Sequence, residues 1–310
     1  LKAIQFDHHG GPEVLHYRDL PDPEPGPGEV LIAVHAASVA PGDWKVRAGL
    51  LQEIFPQTFP TIPGRDGAGT VVALGSGVSD MAIGDEVCFI TAHTENGAYT
   101  ELVVRAAAEV VRRPANVSFT EAAAAVHAGV CAWIPLMESV TITAGQRVLV
   151  HGGSGGVGGM AVQIARNLGA EVTATCRAAN AEYVRSLGAD TVVAYDEQDF
   201  ATELRDYDVV LDLLGSDIHR RSYAVLKPGG SLVWLIAKPI EDLGAEYGVK
   251  VLRSDIHDAI YVLQAVLDLV ASGAVRPQVG RTLPLSQAAE AQHLLEAGEH
   301  SRGRIVLEVR

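Results

Sequence analysis

The stretch RVLVHGGSGGVGGMAVQIARNLGAEVTATC, residues 147–176, decides the fold. A Val- and Leu-rich run enters a glycine cluster, leaves it through a helix-forming segment and returns to a second apolar run, a βαβ unit of about 30 residues. Gly153, Gly155 and Gly158 fit G-x-G-x-x-G, and Gly152, Gly155 and Gly158 fit G-x-x-G-x-x-G. In such a turn one glycine adopts backbone angles closed to other residues. A second lets the main chain approach a pyrophosphate, and a third lets helix and strand pack closely. The helix N-terminus then offers free N–H groups and the positive end of its dipole to phosphates. The reading is a dinucleotide site. Gly152-Gly153-Ser154-Gly155-Gly156 also spells G-x-S-x-G, the elbow of a hydrolase nucleophile, for which Asp212 and His293 could be nominated as partners. That elbow normally follows several βα units, and the chain upstream has β-barrel character instead.

Downstream, further apolar strands alternate with helix-length segments: TVVAY (191–195), DVVLDLLG (208–215), GSLVWLIA (230–237) and KVLRS (250–254). Val- and Leu-rich strands separated by helices predict a parallel sheet buried on both faces and doubly wound by right-handed crossovers. The segments 179–187 and 217–226 read as amphipathic helices without chemistry. Helices follow at 257–272 and at 287–297, the latter with Ser286 as N-cap, and RIVLEV (304–309) alternates like a half-buried strand.

Upstream of residue 115 short apolar runs are broken by Gly and Pro: 29–39, 69–78, 85–90 and 99–104, with PDPEPGPGE (21–29) unable to form helix. This predicts a small, irregular β-barrel. Ser118 with Glu121 forms a capping box ahead of an Ala-rich helix. The expected division is 1–115 for the β-rich domain, 116–256 for the nucleotide-binding domain and 257–310 for a segment returning to the first.

The chain has 310 residues and a formal charge of −14, which argues against nucleic acid and anionic membranes as partners. No uncharged apolar run of about 18 residues is present, so no membrane span is expected. The opening LKAIQF carries no signal-peptide pattern. Cys88, Cys131 and Cys176 are an odd, dispersed set, so the expectation is a reducing cytoplasm rather than a disulfide framework.

An NAD site would place Asp or Glu at the end of the second strand of the βαβ unit. Here that position reads Thr175-Cys176-Arg177-Ala178-Ala179-Asn180. A guanidinium there favours a 2′-phosphate through charge-assisted bonds, so NADPH is expected over NADH.

Nearly the whole chain resembles the medium-chain dehydrogenase/reductase superfamily, and most closely its zinc-independent quinone oxidoreductases, the zeta-crystallin group. The resemblance rests on PGDWKVRAGL (41–50), IPGRDGAGTVVALGSGV (62–78), GDEV (84–87), GAYTELVV (97–104), AGVCAW around Cys131, AGQRVLVHGGSGGVG (144–158), LGADTVVAYD (187–196), LKPGG (226–230) and GRIVLEV (303–309). It implies a Rossmann doubly wound sheet plus an N-terminal GroES-like β-barrel completed by the C-terminal segment. It implies cofactor contacts at Ser154, Gly155, Gly156, Val157 and Gly158, 2′-phosphate contacts at Arg177, Asn180 and Tyr195, and further cofactor contacts at Leu214, Gly215, Ile236, Ala237 and Cys131. Tyr195 has a competing reading as a strand-end core residue. A homodimer through edge strands of the nucleotide-binding sheet is also implied.

Zinc alcohol dehydrogenases of this superfamily carry a Cys near the first of these motifs and Gly-His-Glu in the second. This chain has Ser38-Val39-Ala40-Pro41-Gly42-Asp43 and Gly64-Arg65-Asp66 instead, with an Arg65–Asp66 ion pair expected. Two expected zinc ligands are thus replaced, and zinc needs three or four. A conjugated substrate removes the need for a Lewis acid, because hydride added to a quinone or to the β-carbon of an enone spreads charge onto oxygen. The enzyme then needs orientation, donors near that oxygen and a proton source. Lys45 aligns with a Tyr of some relatives and is the candidate for stabilising the enolate or supplying its proton, with Asp43 and Arg47 beside it. The alternatives are a non-catalytic NADPH-binding sensor or structural protein and, behind it, the Ser154 hydrolase.

Overall fold

The computed structural model describes residues 1–236, 240–300 and 302–310. In chain order, β1 (Lys2–Gln5), β2 (His16–Asp19), β3 (Glu29–Val39), α1 (Pro41–Arg47), β4 (Asp66–Leu74), β5 (Glu86–Ile90), β6 (Leu102–Ala106) and β7 (Val110–Arg112) lead to the long helix α2 (Phe119–Ile134). Then come β8 (Arg147–Val150), α3 (Gly156–Asn167), β9 (Glu171–Cys176), α4 (Ala181–Ser186), β10 (Thr191–Ala194), α5 (Phe200–Glu203), β11 (Tyr207–Asp212), α6 (Ser216–Ser222), β12 (Leu226–Trp234), α7 (Gly244–Tyr247) and β13 (Lys250–Arg253). The chain closes with α8 (Ile260–Ala271), β14 (Val279–Pro284), α9 (Ala288–Glu296) and β15 (Arg304–Glu308).

These elements form two compact units: residues 1–127, 258–271 and 277–310, and residues 128–257 with 272–276. The division falls inside α2 rather than ahead of it at 115. Ser118 and Glu121 make the capping box, the Ser118 N–H and hydroxyl donating to the Glu121 carboxylate and Glu121 N–H donating back to Ser118 Oγ. Together with the turn that follows it, α2 is long and apolar enough to cross a membrane by length and hydropathy, but 72% of its most apolar window is buried inside the protein, as in a core helix.

In the first unit the strand order is β14-β15-β3-β4-β5-β7, with β6 also on β3. β3 is the hub. It pairs antiparallel with β4 along most of its length, with β6 through residues 29–33 and with β15 through residues 36–39. The C-terminal strands therefore complete the GroES-like barrel. Phe6, Ile32, Phe89, Tyr99, Ile305 and Leu307 are central to its core. Four of the five residues of β15 are buried, against the expected alternation, because it lies between β14 and β3 and is covered on both faces. The first turn of α9 is capped by Gln287 without a side-chain bond, not by Ser286, because a short 3-10 turn at Leu285–Gln287 precedes it.

The second unit is a six-stranded, all-parallel sheet of order β10-β9-β8-β11-β12-β13. This is the Rossmann order, whose ligand crevice opens at the carboxyl ends of the two strands where the order reverses, here β8 and β11.

Candidate active site

The glycine turn leaves β8 at Val150 and opens α3 at Gly156. Gly152 has φ +75°, and its N–H donates to Thr175 Oγ1 while Gly153 N–H donates to Thr175 O. A Cβ on Gly158 would strike the Gly152 carbonyl, so that glycine is demanded by the protein's own packing. Gly155 is different. A Cβ there would meet nothing nearer than Gly152 O at 3.5 Å, ordinary contact distance. The residue is extended, and its lack of a side chain leaves room for something other than protein. Gly155 caps α3 with no side-chain bond to the first helical N–H groups, and Gly155, Gly156 and Val157 are partly exposed while Ser154 and Gly158 are buried. Bare N–H groups, a helix dipole and an open cradle fit a diphosphate.

At the ends of β9 and β10, the exposed Arg177 donates from Nε to Tyr195 Oη at 3.2 Å. Tyr195 is 46% exposed, so its reading as a core residue is overturned: its ring stands at the surface, where it holds the guanidinium beside the glycine turn's second strand. Asn180 is buried and donates to Ser154 Oγ at 3.4 Å, which ties the two loops together. Leu214 is 50% exposed at the end of β11, and Gly215, at φ +73°, makes room for the Ile236 side chain. Cys131 is buried in α2. Ala237 lies outside the described residues.

Two buried polar clusters at this edge were not assembled from the sequence. Asp212 Oδ1 accepts from Leu214 N–H and Gly215 N–H at 2.9 and 2.8 Å, and its Oδ2 pairs with His219 Nδ1 at 2.7 Å. Burial works to raise the Asp212 carboxyl, but the bonds from His219, Gly215 and Leu214 prevail and hold it low. His219 Nε2 meets Tyr223 Oη, so the 217–226 segment does have a task. Next to it, Ser222 Oγ donates to Ile218 O and therefore accepts from His151 Nε2, which leaves His151 Nδ1 to accept from Thr175 Oγ1. Burial pushes His151 down to about 4, so it is neutral. A strand-end histidine against a strand-end threonine was the available signal. The hydrolase reading fails here: Asp212 is committed to His219, whose far nitrogen meets Tyr223, and Ser154 Oγ accepts from Asn180.

In the first unit, Pro41 opens α1 and brings Asp43 under the sheet. Asp43 Oδ2 accepts from Ala40 N–H at 2.8 Å and from Tyr99 Oη at 2.9 Å. Burial, reinforced by the charge of Asp66 and only partly offset by these bonds and Arg304, raises Asp43 to about 7. Ser38 Oγ donates to Asp66 Oδ2 at 2.7 Å, and burial raises that carboxyl too. Lys45 Nζ lies 5.7 Å from the Trp44 ring centroid. Arg47 belongs elsewhere: fully buried, it donates to Gly10 O, Gln292 Oε1 and Glu296 Oε2, a structural anchor. The expected Arg65–Asp66 ion pair is also absent. Successive residues of extended chain face opposite sides, and Arg65 donates to Thr91 O and pairs with Asp258 while Asp66 turns inward.

A strand, a bare glycine turn and a helix of this geometry define a dinucleotide-binding unit of the dehydrogenase type. Residues 26–115 match the model of the alcohol dehydrogenase GroES-like domain, residues 187–307 that of the zinc-binding dehydrogenases, and residues 118–213 that of the C-terminal domain of alanine dehydrogenase/PNT. The chain is 32% identical to the chloroplast envelope quinone oxidoreductase homolog of Arabidopsis thaliana, over 99% of this chain and 98% of that protein. The solved quinone oxidoreductase of Coxiella burnetii superimposes with a TM-score of 0.92 at 33% identity, over 100% of this chain and 99% of the other. That of Escherichia coli, complexed with NADPH, does so with 0.91 at 28%, over 100% of both. The chain belongs to the medium-chain dehydrogenase/reductase superfamily, in its quinone oxidoreductase branch.

The zinc in one of these family descriptions does not fit the residues present. Among the described residues no group of three His, Cys, Asp or Glu could hold a metal ion. The Cys and the Gly-His-Glu expected of zinc relatives are replaced here by Ser38-Val39-Ala40-Pro41-Gly42-Asp43 and Gly64-Arg65-Asp66, and Asp66 accepts from Ser38 beside the Arg65 and Arg304 cations.

Proposed function

We propose that this chain reduces a quinone or an α,β-unsaturated carbonyl with NADPH. The observation that carries the reading is the glycine turn whose Gly155 is required by no protein contact, with the Arg177–Tyr195 pair standing beside it. NADPH, when bound, supplies the hydride. The turn from Ser154 to Gly158 holds the diphosphate by main-chain N–H groups, and Arg177, Tyr195 and Asn180 meet the adenosine 2′-phosphate. Leu214, Gly215, Ile236 and Cys131 flank the rest of the cofactor. The second unit is thus the NADP(H)-binding domain, and the first, with its returning C-terminal segment, the catalytic and substrate domain. There Lys45 stabilises the oxygen on which charge collects, and Asp43 shapes the same corner.

The test is fluorescence titration with NADPH and NADH, followed by steady-state NADPH oxidation with a panel of quinones and enones. Tight NADPH binding with no turnover on any of them would replace the reductase with a sensor or structural role. We further read the protein as a homodimer through an edge strand of the parallel sheet, β10 or β13, which sedimentation checks. The three cysteines are free and buried, which favours a reducing compartment, the cytoplasm in our reading.

A further inference from the structure

A narrow cavity of about 10 Å³ lies in the first unit, lined by Phe6, Asp43, Gln57, Pro63, Gly64 and His93 among others. One water needs roughly 10–15 Å³ and two or more polar partners. Both are at hand. Asp43 Oδ2 is committed to Ala40 and Tyr99, but Asp43 Oδ1 is buried with no hydrogen-bond partner. The His93 ring lies against Gly42, where a Cβ would come within 2.9 Å of its Cε1 and Nε2, and tilts over Phe55 at 4.8 Å. Among the described residues only the His93 carbonyl, not its ring, has a hydrogen bond, from Gln57. The residue as a whole is partly exposed.

We infer that one water fills this cavity between Asp43 Oδ1 and the His93 ring, and that Asp43, water and His93 carry a proton from the buried carboxyl to the reduced substrate. The inference rests on the reductase reading and supplies its proton source. Hydride addition leaves an electron pair and a negative charge on the enolate. As the new C–H or O–H bond forms on substrate, His93 loses the proton of its outer N–H, its inner nitrogen takes one from the water, and the water takes the Asp43 proton. Asp43 ends as carboxylate and is refilled from solvent, so each turnover consumes one solvent proton with the hydride. His93 changes tautomer and never needs to be a cation, which suits a ring that burial and the Arg65 charge hold down to about 3. Asp43 is loaded because burial and Asp66 raise it to about 7. The groups that act on Asp43 are Asp66 on β4, the Ala40 N–H, Tyr99 before β6 and Arg304 on β15; Gln292 on α9 acts on Tyr99, His93 and Glu95 after β5 line the cavity, and the His127 imidazole on α2 interacts with that of His93.

The proposal is tested on the full chain in two ways. A crystal structure is expected to place one water within hydrogen-bond distance of both Asp43 and His93, and an infrared carboxyl band lost in Asp43→Asn to titrate near pH 7. An empty cavity, or no such band, overturns the proposal whatever the turnover. In kinetics, wild-type kcat is expected to fall as pH rises through about 7. Asp43→Asn, whose amide oxygen can still accept from Ala40 and Tyr99, and His93→Phe are each expected to lower kcat roughly 100-fold or more with NADPH affinity unchanged, and Asp43→Asn to lose the alkaline limb. His93→Gln, a donor that cannot relay, should be no better than His93→Phe. Wild-type kcat in either His93 variant overturns the relay. If Asp43→Asn does not fold, the His93 variants and the crystal structure decide. A wild-type protein inert toward every quinone and enone defeats the reductase reading instead, and leaves the water and the Asp43 band as the judges of the site.

Discussion

Gly158 and Gly155 stand three residues apart in one motif, yet physics asks opposite things of them. Gly158→Ala drives a methyl into the Gly152 carbonyl and is expected to destabilise the protein by about 1–3 kcal/mol, seen as a lower urea midpoint. Gly155→Ala meets only ordinary contact and should leave that midpoint in place while NADPH affinity falls at least about tenfold, read by fluorescence titration. Arg177 gives a second residue-scale prediction. Charge-assisted hydrogen bonds contribute about 1.5–3 kcal/mol, so Arg177→Ala should raise the Kd for NADPH roughly 10- to 100-fold and leave that for NADH nearly unchanged. Equal losses for the two would remove Arg177 from the 2′-phosphate.

At the scale of elements, the carboxyl end of β11 is held by a side chain that need never touch a ligand. Asp212 fixes the Leu214 and Gly215 N–H groups and His219 at once. Asp212→Ala leaves two buried donors, Gly215 N–H and His219 Nδ1, and the partly buried Leu214 N–H unmatched, a loss of about 3–5 kcal/mol by analogy with broken buried pairs. Faster amide exchange at residues 213–219 together with weaker NADPH binding is the expected result. His151, between β8 and the glycine turn, makes the second unit acid-sensitive. Its folded value is lowered from 6.5 to about 4, so its contribution is present above pH 6.5 and is lost as pH falls toward 4, about 3 kcal/mol across that window. Urea unfolding of wild type and His151→Asn at pH 7 and pH 4.5 checks this; the variant should show the smaller pH dependence. Asp43 has the opposite sign, its contribution being full below about 4 and lost as pH rises toward 7.

For the whole molecule, the strands of the parallel sheet and the part of its site at the glycine turn were legible because they are local: Val-rich strands, punctuating glycines and a helix start lie side by side in sequence. β9 runs over 171–176 as read, and β3 over 29–39. What escaped reading depends on pairing across long separations. β14 has little apolar pattern, and β15 looked half-buried until β3, some 270 residues earlier in the chain, was placed beside it. The pairings of Arg47 with Glu296 and of Arg65 with Asp258 are invisible for the same reason. Deleting residues 304–310 should therefore strip residues 36–39 of β3 of their β15 pairing and remove Ile305 and Leu307 from the core, abolishing the near-ultraviolet signature of the first unit, while the second unit, whose own strands are complete, still quenches NADPH fluorescence.

That arrangement also sets a timetable. As the nascent chain leaves the ribosome, every strand of the parallel sheet emerges before β15 does, whereas residues 36–39 of β3, already paired with β4 on one side, wait for β15 on the other. The nucleotide-binding half can mature first, and the open side of β3 is a client for chaperones until β15 has emerged.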